Sequence, residues 1–580
     1  MNFIIFFLKF EKTPYFCKKY TILEENQIHQ SVIETSFDEA AFLHALEKCE
    51  KEIFSFYIID LLYQKIKTER ELKSIFQIAD YKYESPNDTA EVLLKSRIID
   101  ILSEFYFGSD DKTDSIKAFE LVYQKYHPLK DNSFFNSPQI VGEFIFNIVE
   151  TKNHQSVYDP FCGLGGFLLE AYKKNTTLNL IGGDIGIHNA TFAQQRLIVH
   201  SISPEKIVMS HYNFFRQENI ERDILITDPG FSIFFTGALY LPTPKSKNRE
   251  FPTIKKCFEN LKENGQLAIV LPDSVLIPQA RQKDGIYKDN YAEARQFLEK
   301  QAEINLIVSL PETTYYNLGS THKRSIVFFT KKKNPAPYQV YLAANKFGSK
   351  GVSEKVIKAF LDEIAIQYQQ KTLPYVGSED LTSWSADRLL AFKNDLFKSD
   401  LPKVKLRDIV VSVNKNRIKP TQNAYYYQAS IRKNGKIEFE EKIYSSSSNH
   451  SFVCLEKGQI VVSGSNLHNG GIVVFNKDIN NAIVSDHFYV LDIGDNDVLG
   501  EYLVALFNQD LMKQYVTKIT KGNTNSRISI LDLLEIEIPL SLLEQPEFVD
   551  NVKKSIILEE EIKAIQEENN KAIYQLFNSK

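Results

Sequence analysis

Two short stretches of this sequence combine residue types that can do chemistry together. In the first, DILITDPGF (residues 223–231), an apolar run leads to Asp228, Pro229 and Phe231 at the end of a predicted strand. A carboxylate and a carbonyl there can accept hydrogen bonds from an amine, while an aromatic ring can hold a planar base by stacking. Gly230 stands where a second proline would stiffen the loop, so we expect a loosened but working loop.

The second stretch, VYDPFCGLGGFLLEAY, is typical of a site for a nucleotide-like cofactor. A predicted strand ends at Asp159, a turn with Gly163, Gly165 and Gly166 follows, and a helix begins at once. Glycines let the backbone approach a ligand closely, and the first N–H groups of the helix face that ligand. Asp184 ends the next predicted strand, 18 residues after Gly166, which suits the hydroxyls of a ribose.

Both stretches lie in a region, from about residue 132 to 332, where strand and helix patterns alternate. The apolar runs SVYDPF, LIGGDI, DILITD, QLAIVL, NLIVSL and SIVFFT are the predicted strands. Helical patterns occur between them in GFLLEAYKKN, HNATFAQQRLIVHSI and FPTIKKCFENLKENG. Such alternation predicts an α/β fold with a mostly parallel, doubly wound sheet.

The rest of the chain divides around this region by composition and periodicity. Apolar residues recur at helical spacing between about residues 37 and 127, whereas short strands predominate after residue 403. The last stretch is amphipathic and contains neither Gly nor Pro. We therefore predict a helical N-terminal domain (1–127), the α/β domain (128–372), a polar connector (373–402), an α+β domain (403–548) and a long terminal helix (549–580).

Composition limits the function classes. The net charge is only −5, from 69 basic and 74 acidic residues, so any nucleic-acid surface must be a local patch. The five cysteines are scattered without a CxxC pair, which predicts no metal site and suits a reducing cytoplasm. The opening MNFIIFFLKF is far shorter than the ~20 apolar residues of a membrane span, so we expect a short strand or buried edge there. The sequence predicts a soluble, cytoplasmic protein without a membrane partner.

The two chemical stretches together resemble N6-adenine DNA methyltransferases, in particular the M subunits of type I restriction-modification systems. DPFCGLGGF resembles the S-adenosyl-L-methionine loop of that family, and NSFFNSPQIV is similar to its G-x-F-F-T-P segment, with one residue more. LKENGQLAIVLPDSVL and INLIVSLPETTYYNLGSTHKRSIVFFTK are similar to its late strands. The resemblance covers roughly residues 40–340 in the family's order and implies a Rossmann-like methyltransferase domain.

The resemblance also implies roles for individual residues. Asp228 and Pro229 would accept hydrogen bonds from the adenine amine and Phe231 would stack on the base, although Gly230 departs from the family's Pro-Pro. For Asn213, either a contact with the cofactor adenine or a loop cap is open. The positions implied for S-adenosyl-L-methionine are Phe135, Ser137, Pro138, Asp159, Gly163, Leu164, Gly165, Gly166, Asp184, Ile185 and Asn213.

Residues 403–548 resemble one target-recognition domain of type I specificity subunits, and the terminal helix resembles the conserved-region helix that follows it. The similar pieces are KLRDIV, LEKGQIVVSGSNLHNGGIVVF, NAIVSDHFYVLDI and ISILDLLEIEIPLSLLEQPEF. Basic residues among Asn, Gln and Tyr are expected to contact DNA phosphates and bases, the alternative being a solvated hairpin. These residues are Lys415, Arg417, Lys419, Arg432, Lys433 and Lys436.

The sequence therefore predicts a site-specific DNA adenine-N6 methyltransferase in a restriction-modification or phage-defence system. Its partners would be double-stranded DNA and a second copy or another subunit bound through the terminal helix. Because the sequence has neither a Walker A loop nor a nuclease cluster, we expect any motor or nuclease on another chain. Two alternatives remain: a DNA-binding subunit that keeps the fold without transferring methyl groups, and a methyltransferase acting on RNA or protein glutamine.

Overall fold

The computed structural model describes residues 137–230 and 250–578 apart from short gaps, and residues 40–42, 55–70 and 112–126 before them. The chain forms two compact units. The first comprises Met1–Leu72 and Glu84–His127, and the second comprises Lys73–Tyr83 and Pro128–Lys580. The predicted N-terminal strand in MNFIIFFLKF lies outside the described residues.

The described part of the first unit is helical, as the sequence predicted. It contains α1 (Ser55–Glu69) and α2 (Thr113–Tyr126). The apolar residues that recur along these helices are buried, among them Leu62, Ile66 and Phe119. An amphipathic pattern thus places one face of each helix in a core.

The second unit is built on a nine-stranded sheet with the order β11-β10-β8-β9-β5-β4-β1-β2-β3. Its strands are β1 (Ser156–Asp159), β2 (Asn179–Asp184), β3 (Ile207–His211), β4 (Arg222–Thr227), β5 (Leu261–Pro272), β8 (Ala302–Ser309), β9 (Arg324–Lys331), β10 (Gln339–Ala343) and β11 (Tyr375–Gly377). All six predicted strands are present. Neighbouring strands are parallel except that β9 is antiparallel to β5 and β8, and β11 is antiparallel to β10. A separate hairpin contains β6 (Ala280–Lys283) and β7 (Ile286–Asp289).

Helices cover both faces of this sheet. They are α3 (Gln139–Ile148), α4 (Gly166–Lys174), α5 (Ile187–Val199), α6 (Glu250–Glu259), α7 (Asp273–Leu276), α8 (Ala292–Glu299), α9 (Glu354–Gln369) and α10 (Ala386–Lys393). Helix α3 packs on α4 and α9, whereas α6 packs on α8. The central strand β4 is apolar at Ile224, Leu225 and Ile226, all fully buried, because helices exclude water from both of its sides. The mostly parallel, doubly wound sheet was predicted from the sequence.

In the stretch expected as a connector, residues 373–402, the described residues 373–393 pack on the α/β domain instead. Tyr375–Gly377 is the edge strand β11 and pairs with β10. Trp384 is fully buried in the core of the domain, and its Nε1 donates to Glu299 Oε1 at 2.7 Å. The polar composition of the stretch was misleading because a few large apolar side chains are enough to anchor it.

The C-terminal region has the predicted α+β composition, with three small sheets. Its strands are β12 (Lys403–Lys405), β13 (Ser412–Val413), β14 (Arg417–Ile418), β15 (Tyr425–Ile431), β16 (Ile437–Ile443), β17 (Phe452–Cys454), β18 (Ile460–Ser463), β19 (Ile472–Val474), β20 (Ala482–Ser485), β21 (Phe488–Asp492) and β22 (Glu537–Pro539). Its helices are α11 (Leu406–Ile409), α12 (Asp497–Phe507), α13 (Asp510–Thr520), α14 (Ile530–Glu535) and α15 (Pro546–Asn578). Strands β12 and β22 pair with each other, so the beginning and the end of the region meet.

Helix α15 is the predicted long terminal helix. Near its start, Phe548 packs edge-on against Tyr502 of α12, with ring centroids 6.0 Å apart. Further along, Leu558, Ile562 and Ile565 are each more than half exposed. Among the described residues, no helix combines the length and the apolar character that a membrane crossing requires.

Candidate active site

Three buried carboxyl groups lie at the carboxyl edge of neighbouring parallel strands. Asp159 ends β1, Asp184 ends β2, and Asp228 follows the last residue of β4; the strand order is β4-β1-β2. Their exposed fractions are 2%, 8% and 5%. Because parallel strands end at one edge, the two chemical stretches of the sequence meet there, which is where open α/β sheets bind ligands.

Asp184 holds the turn between β1 and α4 that the sequence predicted as a cofactor loop, here called the glycine turn (residues 160–166). Gly163 N–H donates to Asp184 Oδ2 at 3.0 Å. Gly186 N–H and Asn189 Nδ2 donate to Oδ1 at 2.7 and 3.0 Å. Burial raises the pKa of Asp184, and these hydrogen bonds oppose the rise. The carboxyl group therefore fixes the shape of the turn as well as facing the strand edge.

The glycine turn requires glycine at two positions. Gly163 and Gly165 have φ values of +49° and +77°, in the left-handed region that other residues rarely adopt. A Cβ on Gly165 would also lie 3.1 Å from the Cβ of Ala193 on α5. Helix α4 begins at Gly166. The N–H groups of its first turn have no carbonyl acceptor within the helix, because no helical turn precedes them. Because the turn follows the end of β1, the start of α4 lies at the carboxyl edge of the sheet.

The carboxyl group of Asp159 is held by hydrogen bonds from neighbouring residues. Its Oδ1 accepts hydrogen bonds from Thr227 Oγ1 at 2.9 Å and from Phe161 N–H at 3.2 Å. Burial raises the pKa of Asp159 to about 8, and the nearby carboxylates of Asp184 and Asp228 add to the rise. The Asp159 carboxyl is therefore largely protonated near neutral pH unless a cation lies beside it.

The other residues predicted to contact the cofactor have the following positions. Leu164 is buried, Ile185 is half-buried next to Asp184, and Pro138 precedes α3. Asn213 acts as the loop cap that was one of its two alternatives, because its Oδ1 accepts from Phe215 N–H at 3.0 Å. Phe135 lies outside the described residues.

The Asp228 carboxyl group is surrounded by donors. Its Oδ2 accepts hydrogen bonds from Ser137 Oγ at 2.8 Å and from Tyr315 Oη at 2.7 Å. Its Oδ1 lies 3.6 Å from Nη1 of Arg324, which forms a buried ion pair with it. Burial raises the pKa of Asp228, whereas Arg324 and the two hydroxyl groups lower it. Ser137, predicted to lie over the cofactor, thus contacts the predicted catalytic carboxylate.

Tyr315 and Arg324 were not among the site residues predicted from the sequence. Tyr315 lies on the 3₁₀ helix Glu312–Leu318 after β8, and Arg324 is the first residue of β9, paired with Pro272 at the end of β5. The Arg324 Cζ lies 4.5 Å from the centroid of the Tyr315 ring. No local signal identifies either residue, since a basic residue directly before an apolar strand is usually at the surface.

Gly230 gives the Asp228 loop (residues 228–231) a geometry of its own. Its φ is +61°, which a proline, fixed near −65°, cannot adopt. Its N–H donates to Asp228 Oδ1 at 3.4 Å, and proline has no N–H. The expectation that Gly230 is a loosened substitute for a second proline is therefore wrong for this backbone. Pro229 is buried, and Phe231 lies outside the described residues.

Two of the six basic residues predicted to contact DNA, Arg417 and Lys419, lie among the described residues. Arg417 and Lys419 are exposed at β14, which is one edge of the five-stranded sheet β14-β17-β20-β15-β16. Strands β15 and β16, which flank Arg432, Lys433 and Lys436 in the sequence, pair antiparallel at the opposite edge of this sheet. These three residues and Lys415 lie outside the described residues, and the DNA contacts remain a prediction.

Part of the chain matches one protein family, and several curated proteins are similar to it. Residues 112–394 match the family described as N-6 DNA Methylase, and they contain both the glycine turn and the Asp228 loop. The methylase subunit of the type I restriction enzyme EcoEI from Escherichia coli is 22% identical over 259 residues, covering 41% of this chain and 51% of that protein. The methylase subunit of StySJI from Salmonella typhimurium is 24% identical over 313 residues, covering 48% and 56%. The chain thus spans about half the length of these curated relatives.

Among solved structures, a type I restriction-modification methyltransferase subunit from Streptococcus thermophilus is similar to this chain. It has a TM-score of 0.39 and 19% identity, and the match covers 57% of this chain and 74% of that one.

Proposed function

We propose that this protein is a site-specific DNA adenine-N6 methyltransferase that uses S-adenosyl-L-methionine within a restriction-modification or phage-defence system. The observation that carries the proposal is the position of Asp228, a hydrogen-bond acceptor at the end of β4, beside the glycine turn and Asp184. The match of residues 112–394 to the N-6 DNA Methylase family supports the same assignment. An acceptor beside a cofactor turn is the arrangement that transfer to an amine needs.

The residues of the glycine turn fit S-adenosyl-L-methionine. Asp184 Oδ2 accepts one hydrogen bond, so it retains capacity for a ribose hydroxyl. Asp159 lies where it can meet the positively charged methionine end, and Ile185 can pack on the adenine. When bound, the cofactor supplies a methyl group on a sulfonium centre. The protein's contribution is then to hold the acceptor nitrogen in line with that methyl group.

Asp228 and its loop would hold the target base. The N6 amine of adenine is inside the duplex, so the base must leave the stack before it reaches Asp228. The contacts of Asp228 Oδ1 are both long, at 3.4 Å from Gly230 N and 3.6 Å from Arg324 Nη1, so Oδ1 is the oxygen with room for the amine. The Pro229 carbonyl provides a second acceptor, and Phe231 provides a stacking face.

The C-terminal region would select the DNA site. We propose that residues 403–548 form a target-recognition domain and that α15 binds a second copy or another subunit through its exposed apolar residues, Leu558, Ile562 and Ile565. Exposed Arg417 and Lys419 support a phosphate contact. A nuclease or motor, where the system has one, would be on another chain.

Sequencing of modified bases in DNA from cells that express this protein tests the proposal. We expect N6-methyladenine at one recurring motif, and its loss in an Asp228→Ala variant that still binds S-adenosyl-L-methionine by calorimetry. Asp228→Ala removes an acceptor that acts mainly in the transition state, so turnover should fall far more than binding. Unmodified DNA together with normal cofactor binding would contradict the proposal.

A second candidate function is DNA binding without methyl transfer. The burial of Asp228, with Oδ2 already accepting from Ser137 and Tyr315, favours this reading. The two candidates differ in one result. The binding subunit would shift DNA in a gel with site preference and leave every adenine unmodified, even with all partner subunits present.

A further inference from the structure

We infer that Arg324 is the positioning residue that keeps Asp228 a working acceptor, so that an aspartate at the head of this loop depends on an arginine at the start of β9. The inference rests on the proposed function and deepens it. Both side chains are almost fully buried, at 2% exposed for Arg324 and 5% for Asp228, and the Nη1–Oδ1 distance is 3.6 Å. Removing one partner of such a buried pair leaves the other charge without its counter-charge.

The physical reason for the dependence is the protonation state of an acid removed from water. Burial favours the neutral form of a carboxyl group, which carries a proton on one oxygen and loses an acceptor position. Accepting a hydrogen bond from an adenine amine is best done by the ionised form. The positive charge of Arg324 favours that ionised form of Asp228. An asparagine in the same place would accept through its carbonyl and would need no counter-charge.

The geometry also separates the two oxygens of Asp228 by role. Ser137 and Tyr315 both donate to Oδ2, at 2.8 and 2.7 Å, which fixes the plane of the carboxyl group. The Arg324 guanidinium lies over the Tyr315 ring and approaches Oδ1 from that side. At 3.6 Å it acts on Oδ1 through charge more than through a short hydrogen bond. Oδ1 thus keeps an acceptor position for the substrate.

The other charged groups around Asp228 do not replace Arg324. Asp159, on β1, is a carboxyl group and opposes the ionisation of Asp228. The Tyr315 hydroxyl, on the 3₁₀ helix after β8, stays neutral because burial raises its pKa. Lys323, next to Arg324, pairs instead with Asp273 at 3.3 Å and forms a hydrogen bond with Asp387. Among the described residues, Arg324 is the cation that lies against Asp228.

The test compares Arg324→Gln, Arg324→Lys, Asp228→Asn and the double variant Asp228→Asn/Arg324→Gln. We expect Arg324→Gln to lower kcat at pH 7 at least tenfold and to move the acidic limb of the pH–rate profile to higher pH. Arg324→Lys should restore most of the rate. In a protein that already carries Asp228→Asn, Arg324→Gln should lower kcat less than threefold, because the neutral amide needs no counter-charge. Arg295→Gln, which breaks another buried ion pair, with Asp289, is the matched control and should leave the profile in place.

A readout without catalysis separates this inference from the proposed function. In Arg324→Gln, the folded pKa of Asp228 rises further above its unfolded value, so stability should fall more steeply with rising pH than in the unaltered protein. The double variant should lose that extra slope. If the unaltered protein methylates no DNA, the proposed function fails while this comparison still tests the pair. Parallel unfolding profiles for Arg324→Gln and the unaltered protein, or a loss of kcat equal at every pH, would overturn the inference.

Discussion

Gly230 donates its N–H to Oδ1 of Asp228 at 3.4 Å while its own backbone is left-handed, with a φ of +61°. The residue that departs from a Pro-Pro sequence is thus the one whose N–H contacts the acceptor. A short Asp side chain bonded to the N–H two residues later is a known way to stabilise a tight turn. The position therefore excludes proline for two independent reasons, the positive φ and the N–H that donates to Asp228.

Gly230→Pro should therefore inactivate the protein. The substitution removes the N–H that contacts Asp228 and forces φ from the left-handed region to about −65°. We expect methyl transfer to fall more than tenfold, measured with labelled S-adenosyl-L-methionine and cognate DNA. Gly230→Asn is the control, because asparagine tolerates a positive φ and keeps the N–H, so it should retain most of the activity. A Gly230→Pro protein as fast as the original would show that the loop works in a proline-compatible shape.

Asp159 should make cofactor binding depend on pH. Its pKa is raised to about 8 by burial, so the free protein holds a proton there at pH 7. A positively charged methionine end favours the ionised carboxylate, so binding should release a proton and should strengthen as pH rises toward 8. Calorimetry at pH 7 in two buffers with different heats of ionisation measures the proton release. Asp159→Asn should abolish it, and equal heats in both buffers for the unaltered protein would refute the assignment.

The raised pKa of Asp159 also determines how the stability of the protein without cofactor changes with pH. The pKa of Asp159 is higher in the folded protein than its value of about 4 in the unfolded chain. Its contribution to the free energy of unfolding is therefore fully present at low pH and is lost as pH rises through about 8. Thermal unfolding of Asp159→Asn should therefore show a flatter dependence on pH over that range than the unaltered protein.

The positions of the strands and the site edge were predictable because hydrophobic periodicity encodes them. Asp159, Asp184 and Asp228 each follow a short apolar run, and parallel strands bring such ends together whatever the rest of the chain does. The partners of Asp228 were not predictable. Tyr315 and Arg324 reach it only through the antiparallel placement of β9 between β5 and β8, which is a long-range feature of the sheet. The polar composition of the stretch around Trp384 likewise predicted a connector, although Trp384 itself is buried in the core.

A buried ion pair between Arg388 and Asp532 should stabilise the contact between the α/β domain and the C-terminal region. Arg388, on α10, donates from Nε to Asp532 on α14 and from Nη1 to Thr382 Oγ1 at 2.8 Å. Asp532→Asn leaves the guanidinium without its counter-charge, which typically costs about 3–5 kcal/mol. Denaturant unfolding should show this loss. Glu363→Gln, which breaks the exposed pair with Lys346, should cost about 1 kcal/mol or less.

That contact also limits which variants can test the DNA recognition proposed for the C-terminal region. Ala391, on α10, is buried in the same apolar core as Leu406 and Ile538, so deletion of the C-terminal region would expose part of the α/β domain. Substitution of exposed charges leaves this core intact. Arg417 and Lys419 are suitable because both are exposed at the β14 edge.

The double variant Arg417→Ala/Lys419→Ala should weaken DNA binding through lost phosphate contacts. Each lost contact lowers the slope of log K against log salt by about 0.9, so the slope should fall by up to about 2. The weakening should be similar for cognate and unrelated DNA, because phosphate contacts carry no sequence information. Lys262→Ala is the matched control: this exposed lysine lies near the start of β5, at the sheet edge opposite Asp228, and its loss should leave the slope unchanged. Fluorescence anisotropy between about 50 and 200 mM salt covers the range in which such slopes are measured. If the double variant keeps the original slope, the β14 edge does not face DNA, and the loop between β15 and β16 becomes the next surface to substitute.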